Sequence, residues 1–148
     1  DAVAWARERK TFGQPLIGHQ VIRHKLVDMV ERIEATRALL DDLAARLDAE
    51  PSPPAPLPQA GEGSFSPSPR RGEGRGEGQN LIAQTAMAKN TAARTMQFCA
   101  DTAVQILGGS GYMRGVRVER IYREVKVMMI GGGAEEILKD LAARQLGF

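Results

Sequence analysis

Residues 105–145 read QILGGSGYMRGVRVERIYREVKVMMIGGGAEEILKDLAARQ, and this stretch divides the end of the chain into helical segments separated by glycine. One helical pattern runs into Gly-Gly-Ser-Gly at residues 108–111, where glycine is typical of a helix C-terminus. The pattern resumes over residues 116–129, although the β-branched tail of that segment also fits a strand. It breaks at the glycine turn (Gly131, Gly132 and Gly133) and resumes over residues 134–146. The stretch predicts helices joined by glycine turns.

Two longer amphipathic segments precede this stretch. Residues 19–50 carry apolar side chains every three or four positions, which is the spacing of one helix face. Its members are Ile22, Leu26, Met29, Ile33, Leu40, Leu43 and Leu47, with Thr36 in the gap. A second helix is predicted over residues 80–107, with one face formed by Ala92, Met96, Cys99, Ala103 and Ile106. Long amphipathic helices joined by short breaks predict an all-α, antiparallel helical bundle.

A segment of different composition, residues 51–79, interrupts the helical pattern. It holds all but one of the eight prolines and repeats Gly-Glu-Gly three times. Such a stretch buries too little apolar surface to offset the entropy of ordering it, so we predict a disordered linker insertion. The bundle is therefore predicted in two parts, residues 1–50 and 80–148. We favour an inert insertion over a Pro-rich ligand or an Arg-rich nucleic-acid patch. The arginines of the linker are balanced by glutamates, which argues against nucleic acid.

The overall composition excludes several classes of function. Twenty Lys and Arg residues against eighteen Asp and Glu give a net charge of +2, which offers no electrostatic case for nucleic acid. The chain contains no apolar run of about 18 residues, so no membrane span is predicted. No metal site is predicted either. Since the single Cys99 cannot form an internal disulfide, we expect a cytoplasmic protein. The chain starts at Asp1 inside a helical pattern, from which we expect a piece of a longer protein or a gene model that begins late.

Two motifs flank the linker. The first is ARERKTFGQPL at residues 6–16, followed by GHQ at residues 18–20. The second is D-x-x-x-QILGG-x-GY at residues 101–112, which continues as VER-x-YRE-x-K over residues 118–126. In this order, the motifs resemble those of the C-terminal helical domain of the acyl-CoA dehydrogenases, which are flavoenzymes. The resemblance covers both flanks of the linker and implies FAD as the cofactor.

The resemblance also implies a group of FAD-binding residues near the start of the chain. Arginine forks hold phosphates well, and Arg9 matches the arginine that binds the pyrophosphate of FAD. Thr11 and Phe12 lie beside it, and His19 and Gln20 match the pair near the FAD. As alternatives from the residues alone, Arg9 caps a helix C-terminus, and a histidine at a helix start is a cap or faces solvent.

A second implied group lies at the end of the long helix. Gln105, Gly108 and Gly109 match residues that approach the flavin nucleotide of a neighbouring subunit. Glycine allows a ligand or another backbone to come close at such a point. The alternative is that the two glycines only end the helix.

The catalytic base is the point where the chain departs from the family pattern. The implied reaction needs a base for the α-proton of an acyl thioester and a flavin that accepts hydride from the β-carbon. The usual glutamate position falls on Gly132, so no catalytic residue is predicted here. Glu135 and Glu136 complement the helix dipole instead. Members of the isovaleryl-CoA type bring the glutamate from an earlier helix, which here would precede Asp1. The glycine turn would also suit a branched or bulky acyl group.

We therefore expect a C-terminal domain fragment of an FAD-dependent acyl-CoA dehydrogenase that oxidises acyl-CoA to 2,3-enoyl-CoA and is inactive alone. The resemblance implies an electron-transfer flavoprotein as the electron acceptor and a homotetramer as the assembly. Two alternatives stay open. One is a non-catalytic bundle, kept for oligomerisation or interaction or left by a truncated gene. The other is an acyl-CoA oxidase-like relative in which oxygen accepts the electrons.

Overall fold

The computed structural model describes residues 1–49 and 77–148, with side chains described from residue 81 in the second range. Helix α1 spans Ala2–Glu8, and strands β1 (Lys10–Thr11) and β2 (Gln14–Pro15) follow, then a 3₁₀ turn at Leu16–Gly18. Two long helices come next, α2 (Gln20–Ala49) and α3 (Glu77–Leu107). The chain ends with α4 (Gly109–Tyr112), α5 (Arg117–Ile130) and α6 (Glu135–Leu146). The predicted all-α fold class is confirmed.

Most of the predicted helix boundaries agree with the structure. The segment with the β-branched tail is the α-helix α5, and its buried Val118 and Val125, seven residues apart, lie on the same face of that helix. The predicted linker lies outside the described residues up to residue 76. Its last three residues, however, belong to α3, which begins at Glu77 rather than at residue 80. The helix start was predicted three residues too late, because the repeated Gly-Glu-Gly composition was assigned to the linker.

Helix α3 is the central element and contacts α1, α2, α4, α5 and α6. Its pairing with α2 is antiparallel, since Thr36 bonds to Thr95 while the later Arg46 reaches back to Gln84. The same order of contacts makes α5 antiparallel to α3. Val118 packs with Ile106 at one end, and the Met129 carbonyl meets Lys89 at the other.

Small side chains let the neighbouring helices approach α3 closely. The buried residues of α3 include Ala83, Ala86, Ala88, Ala93 and Ala100. Helix α6 packs its Ala142 against Ala83 and Ala86. Since alanine has the highest helix propensity, the same residues favour the helix and the close packing.

The predicted apolar faces are only partly buried. On α2, Leu43 and Thr36 are buried, whereas Leu40 and Leu47 are 40% and 47% exposed. On α3, Met96 of the predicted face is 40% exposed. Helix α2 packs mainly against one helix, so only a narrow line of its face is covered. None of the helices in residues 1–49 and 77–148 is both long and apolar enough to cross a membrane.

Candidate functional site

A small β-hairpin between α1 and α2 carries the first group of predicted FAD-binding residues. Lys10 pairs with Pro15 and Thr11 with Gln14, so only Phe12 and Gly13 form the turn. Both have positive φ angles, 49° and 80°. This is the sign that a type I′ turn requires at its two central residues, and such turns join two-residue hairpins. The hairpin was not predicted from the sequence, because phenylalanine is rare at a position of positive φ.

His19 holds the base of the hairpin. The Gln14 amide nitrogen lies 3.2 Å from His19 Nδ1 and donates to it. His19 Nε2 lies 3.2 Å from the Thr11 hydroxyl and 3.3 Å from the Thr11 carbonyl oxygen, to which it donates. These contacts assign the imidazole proton to Nε2. His19 therefore fixes the shape of the turn on which Phe12 stands.

Phe12 is the most exposed large apolar residue of the hairpin. Its side chain is 97% exposed, and its only ring contact among the described residues is an edge-on contact with His19, with centroids 6.1 Å apart. The ring is thus held in a backbone conformation that costs energy and is left accessible to a ligand.

Arg9 occupies the point where α1 ends and the hairpin begins. Its backbone N–H donates to the Trp5 carbonyl at 2.8 Å, and its carbonyl oxygen accepts from the Leu16 N–H at 2.7 Å. The backbone of Arg9 thus makes the cap of α1. Its guanidinium is exposed and has no partner among the described residues, so the side chain is free for an anion.

The residues around the start of α2 have local roles. The Gln20 amide nitrogen lies 3.3 Å from His24 Nε2, one turn along the helix. Arg23 donates to the carbonyl oxygens of Ile17 and Gly18, at 3.2 Å and 2.6 Å, and fixes the 3₁₀ turn that leads into α2. Arg23 was not predicted, because no local pattern marks an arginine that folds back onto the preceding turn.

The second predicted group lies at the C-terminus of α3. Gly108 has a φ of 60° and its N–H donates to the Val104 carbonyl at 2.9 Å, which ends the helix. Gly109 has open space where a Cβ would be. Gln105 is exposed and lines a cavity of about 690 Å³ together with Asp101, Gly111, Tyr112, Arg114 and Arg123. Gly111 is the glycine that packing requires, because a Cβ there would lie 2.8 Å from Leu107 Cβ.

The two groups lie at the same end of the bundle. Leu16 and Ile17, which follow the hairpin, pack against a cluster that contains Ile106 and Leu107 at the end of α3. The fold therefore attaches both groups to one apolar cluster, although they are far apart in the sequence.

The glycine turn joins α5 to α6. Gly132 and Gly133 have φ angles of 68° and 103°, and a Cβ on Gly132 would meet nothing within 4 Å. Lys89 of α3 donates from Nζ to the Gly133 carbonyl at 2.6 Å and, at 3.4 Å, to the Met129 carbonyl. There is thus free space beside Gly132, whereas the backbone at Gly133 is held by the hydrogen bond from Lys89.

Glu135 is an ion-pair partner and not a free carboxylate. A hydrogen bond from Arg94, followed by one from Lys139 at 2.6 Å, lowers the pKa of Glu135 from 4.5 to about 2. A base that holds its proton this weakly is poorly suited to remove an α-proton. This supports the expectation that Glu135 stabilises the start of α6 rather than acting as the base.

Cys99 lines an apolar cavity of about 390 Å³ between α2, α3 and α5, with Met29, Ile33, Val118 and Ile121. Burial raises the pKa of the thiol, partly opposed by the charge of Arg32. A thiol with a raised pKa is a weak nucleophile, so Cys99 is a packing residue, as expected.

Comparisons with known proteins agree on one family. The family model described as "Acyl-CoA dehydrogenase, C-terminal domain" matches residues 1–60 and 70–147. Acyl-CoA dehydrogenase AFT10-1 of Alternaria alternata is 37% identical over 148 residues, covering 98% of this chain and 30% of that protein. Cyclohexane-1-carbonyl-CoA dehydrogenase of Geobacter metallireducens is 33% identical, covering 95% of this chain and 30% of that protein.

A solved structure shows the same fold. A protein of Mycobacterium smegmatis, described as belonging to this family, superposes with a TM-score of 0.78 at 37% identity. The match covers 99% of this chain and 32% of that one. The chain thus spans about a third of the length of the relatives it matches.

Proposed function

This chain belongs to the acyl-CoA dehydrogenase family, and on that premise we propose that it supplies the C-terminal helical domain of an FAD-dependent enzyme that oxidises an acyl-CoA to the 2,3-enoyl-CoA. The observation that carries the proposal is the family match over both flanks of the linker. The proposal is supported by the exposed guanidinium of Arg9 and the exposed amide of Gln105, which lie at the same end of the bundle.

The residues present fit FAD in their chemistry. The Arg9 guanidinium is exposed and matches the anionic pyrophosphate. Phe12 offers an exposed ring on the hairpin that follows Arg9 in the chain. At the other site, Gly108 and Gly109 leave backbone uncovered next to the exposed Gln105 amide, in agreement with close approach by a nucleotide of a neighbouring subunit. FAD, when bound, supplies the hydride acceptor. The residues of this chain bind and orient it.

His19 and Gln20 take different parts in this proposal. His19 positions Thr11 through Nε2 and Gln14 through Nδ1, and so holds the hairpin that carries Phe12. Gln20 pairs with His24 one turn along α2 and, with His19, is a proposed contact near the FAD.

The catalytic base lies outside this chain in the proposal. Gly132 has no side chain, and Glu135 is held ionised by Arg94 and Lys139. The glycine turn itself carries no carboxylate, and Glu136 is exposed in the first turn of α6. The glutamate of the isovaleryl-CoA type, carried by an earlier helix, is the arrangement that these residues favour, and this chain alone is then inactive.

The open space at Gly132 suggests the substrate class. Gly132 has no side chain, and a Cβ built on it would meet no other heavy atom of the described residues within 4 Å. A wall with this extra room suits a branched or cyclic acyl group. The relative from Geobacter metallireducens is named for a cyclic acyl group, cyclohexane-1-carbonyl-CoA.

The electron acceptor and the assembly follow from the family. We propose an electron-transfer flavoprotein as acceptor and a homotetramer as assembly, in the cytoplasm. The exposed apolar residues Val127, Met128, Ile130 and Ile137 on α5 and α6 are consistent with contacts to other subunits or domains.

Anaerobic titration of the protein as its gene encodes it, purified with FAD bound, with cyclohexane-1-carbonyl-CoA and with butyryl-CoA tests the activity. We expect bleaching of the flavin absorbance, with the cyclic substrate more effective. Preference for butyryl-CoA would contradict the substrate class. A protein that neither retains FAD nor responds to any acyl-CoA would support the non-catalytic bundle, and rapid reoxidation by oxygen with release of hydrogen peroxide would support the oxidase.

A further inference from the structure

Lys89 differs from the basic residues that make ion pairs in this fold. Its side chain is half-buried between α3, α5 and α6, and it donates to two backbone carbonyls. Within residues 1–49 and 81–148, no carboxylate lies within 4 Å of its ammonium. A half-buried cation without a carboxylate needs another source of negative potential.

The C-terminus of α5 supplies that potential. Met129 lies in the last turn of α5, where unpaired carbonyls carry the negative end of the helix dipole. Helix α5 has no basic residue of its own in its last turn. Lys89 therefore caps α5 from a different helix, and the same ammonium reaches the Gly133 carbonyl at 2.6 Å.

The glycine turn needs an external support of this kind. Two of its residues have positive φ angles, and three consecutive glycines lose much conformational entropy when they are ordered. The turn has no side chain of its own to hold it. Asn90, next to Lys89, donates to the Glu135 carbonyl at 3.2 Å, and Arg94 pairs with the Glu135 carboxylate. One face of α3 thus holds both ends of the connection between Gly133 and Glu135.

We propose that Lys89 is a positioning residue that fixes the glycine turn, and with it the wall of the acyl site, for a branched or cyclic substrate. The inference rests on the proposed function for the identity of the site. Its structural half, that Lys89 holds the turn, stands independently of it. If the turn shifts, the space at Gly132 changes, and this affects a bulky acyl group more than a short straight one.

The test compares Lys89→Met with Lys126→Met in the protein as its gene encodes it, with FAD bound. Both variants remove a lysine charge, but Lys126 is exposed on α5. Hydrogen exchange of the amides of residues 131–138 is measured first. We expect exchange about tenfold faster in Lys89→Met, as for a lost charged hydrogen bond, and unchanged in Lys126→Met. Unchanged exchange in Lys89→Met would overturn the proposal.

The second readout is the ratio of kcat/KM for cyclohexane-1-carbonyl-CoA to that for butyryl-CoA. We expect it to fall about fivefold or more in Lys89→Met, and Lys89→Arg to restore most of it, because the guanidinium keeps charge and donors. An equal loss for both substrates would mean a purely structural role and overturn the positioning role. If Lys89→Met does not fold, Lys89→Gln is measured in the same way.

These readouts separate the two proposals. Absence of turnover in the unaltered protein, together with faster exchange in Lys89→Met, would reject the proposed function while the turn support stands. Turnover with unchanged exchange would reject the role of Lys89 alone.

Discussion

The hydroxyl groups of Thr36 on α2 and Thr95 on α3 lie 2.7 Å apart and form a buried hydrogen bond between the two longest helices. Each residue is less than a tenth exposed. An apolar cluster of Leu43, Leu81 and Ala88 lies further along the same interface. The two buried hydroxyls thus satisfy each other.

Thr36→Val should therefore lower the free energy of unfolding by about 1–3 kcal/mol, because it leaves the Thr95 hydroxyl buried without a partner. The double variant Thr36→Val with Thr95→Val should recover most of this loss, since valine has nearly the same shape. Urea denaturation of the single and double variants measures the coupling. Additive losses would show that the hydroxyls do not depend on each other.

The ion pairs of Glu135 predict a pH dependence of stability. The folded-state pKa of about 2 lies below the ordinary value of 4.5. The contribution is therefore fully present above pH 4.5 and is lost as the pH falls towards 2. Glu135→Gln should lower the melting temperature at pH 6 and have a progressively smaller effect as the pH falls through 2. Glu136→Gln, exposed and adjacent, is the control, and an equal effect of both variants at pH 6 would contradict the assignment.

Arg9→Ala should reduce FAD affinity about tenfold without a large loss of stability, because the backbone and not the guanidinium caps α1. The FAD affinity of Arg9→Lys should lie between those of the parent and Arg9→Ala, since an ammonium lacks the two-donor fork of a guanidinium. Titration of the FAD-free protein with FAD, followed by flavin fluorescence, measures the effect. The adjacent exposed Lys10 provides the control variant Lys10→Ala, and an equal loss in it would point to general electrostatics.

Phe12→Asn should separate folding from binding at the hairpin. Asparagine tolerates positive φ, so the variant should be as stable as the parent or more stable by about 1 kcal/mol. FAD affinity should decrease if the exposed ring contacts the cofactor. Phe148→Asn, which alters another exposed phenylalanine, should change neither. A lower melting temperature for Phe12→Asn would show that the ring stabilises the turn.

The conformation of the hairpin and the contacts of the glycine turn could not be predicted from the sequence. The motif around Phe12 and Gly13 indicated a binding segment, but its β-turn was missed because residue preference argues against phenylalanine at positive φ. The absence of the catalytic base at Gly132 was predicted from the sequence. The support of the neighbouring Gly133 by Lys89 could not be predicted, because the two residues lie 44 positions apart along the chain. The FAD-binding roles of Arg9, Gln105 and Gly109 stay predictions.

The sequence by itself determined the helices, the glycine breaks and the family, since periodicity, helix ends and short motifs are local properties of the chain. Only the tertiary structure decided which part of each apolar face is buried, because that depends on how many helices pack against it. It also decided that Thr36 meets Thr95, that Glu135 is held ionised and that Lys89 supports the glycine turn. These contacts join distant segments, and the antiparallel packing on α3 fixes their register.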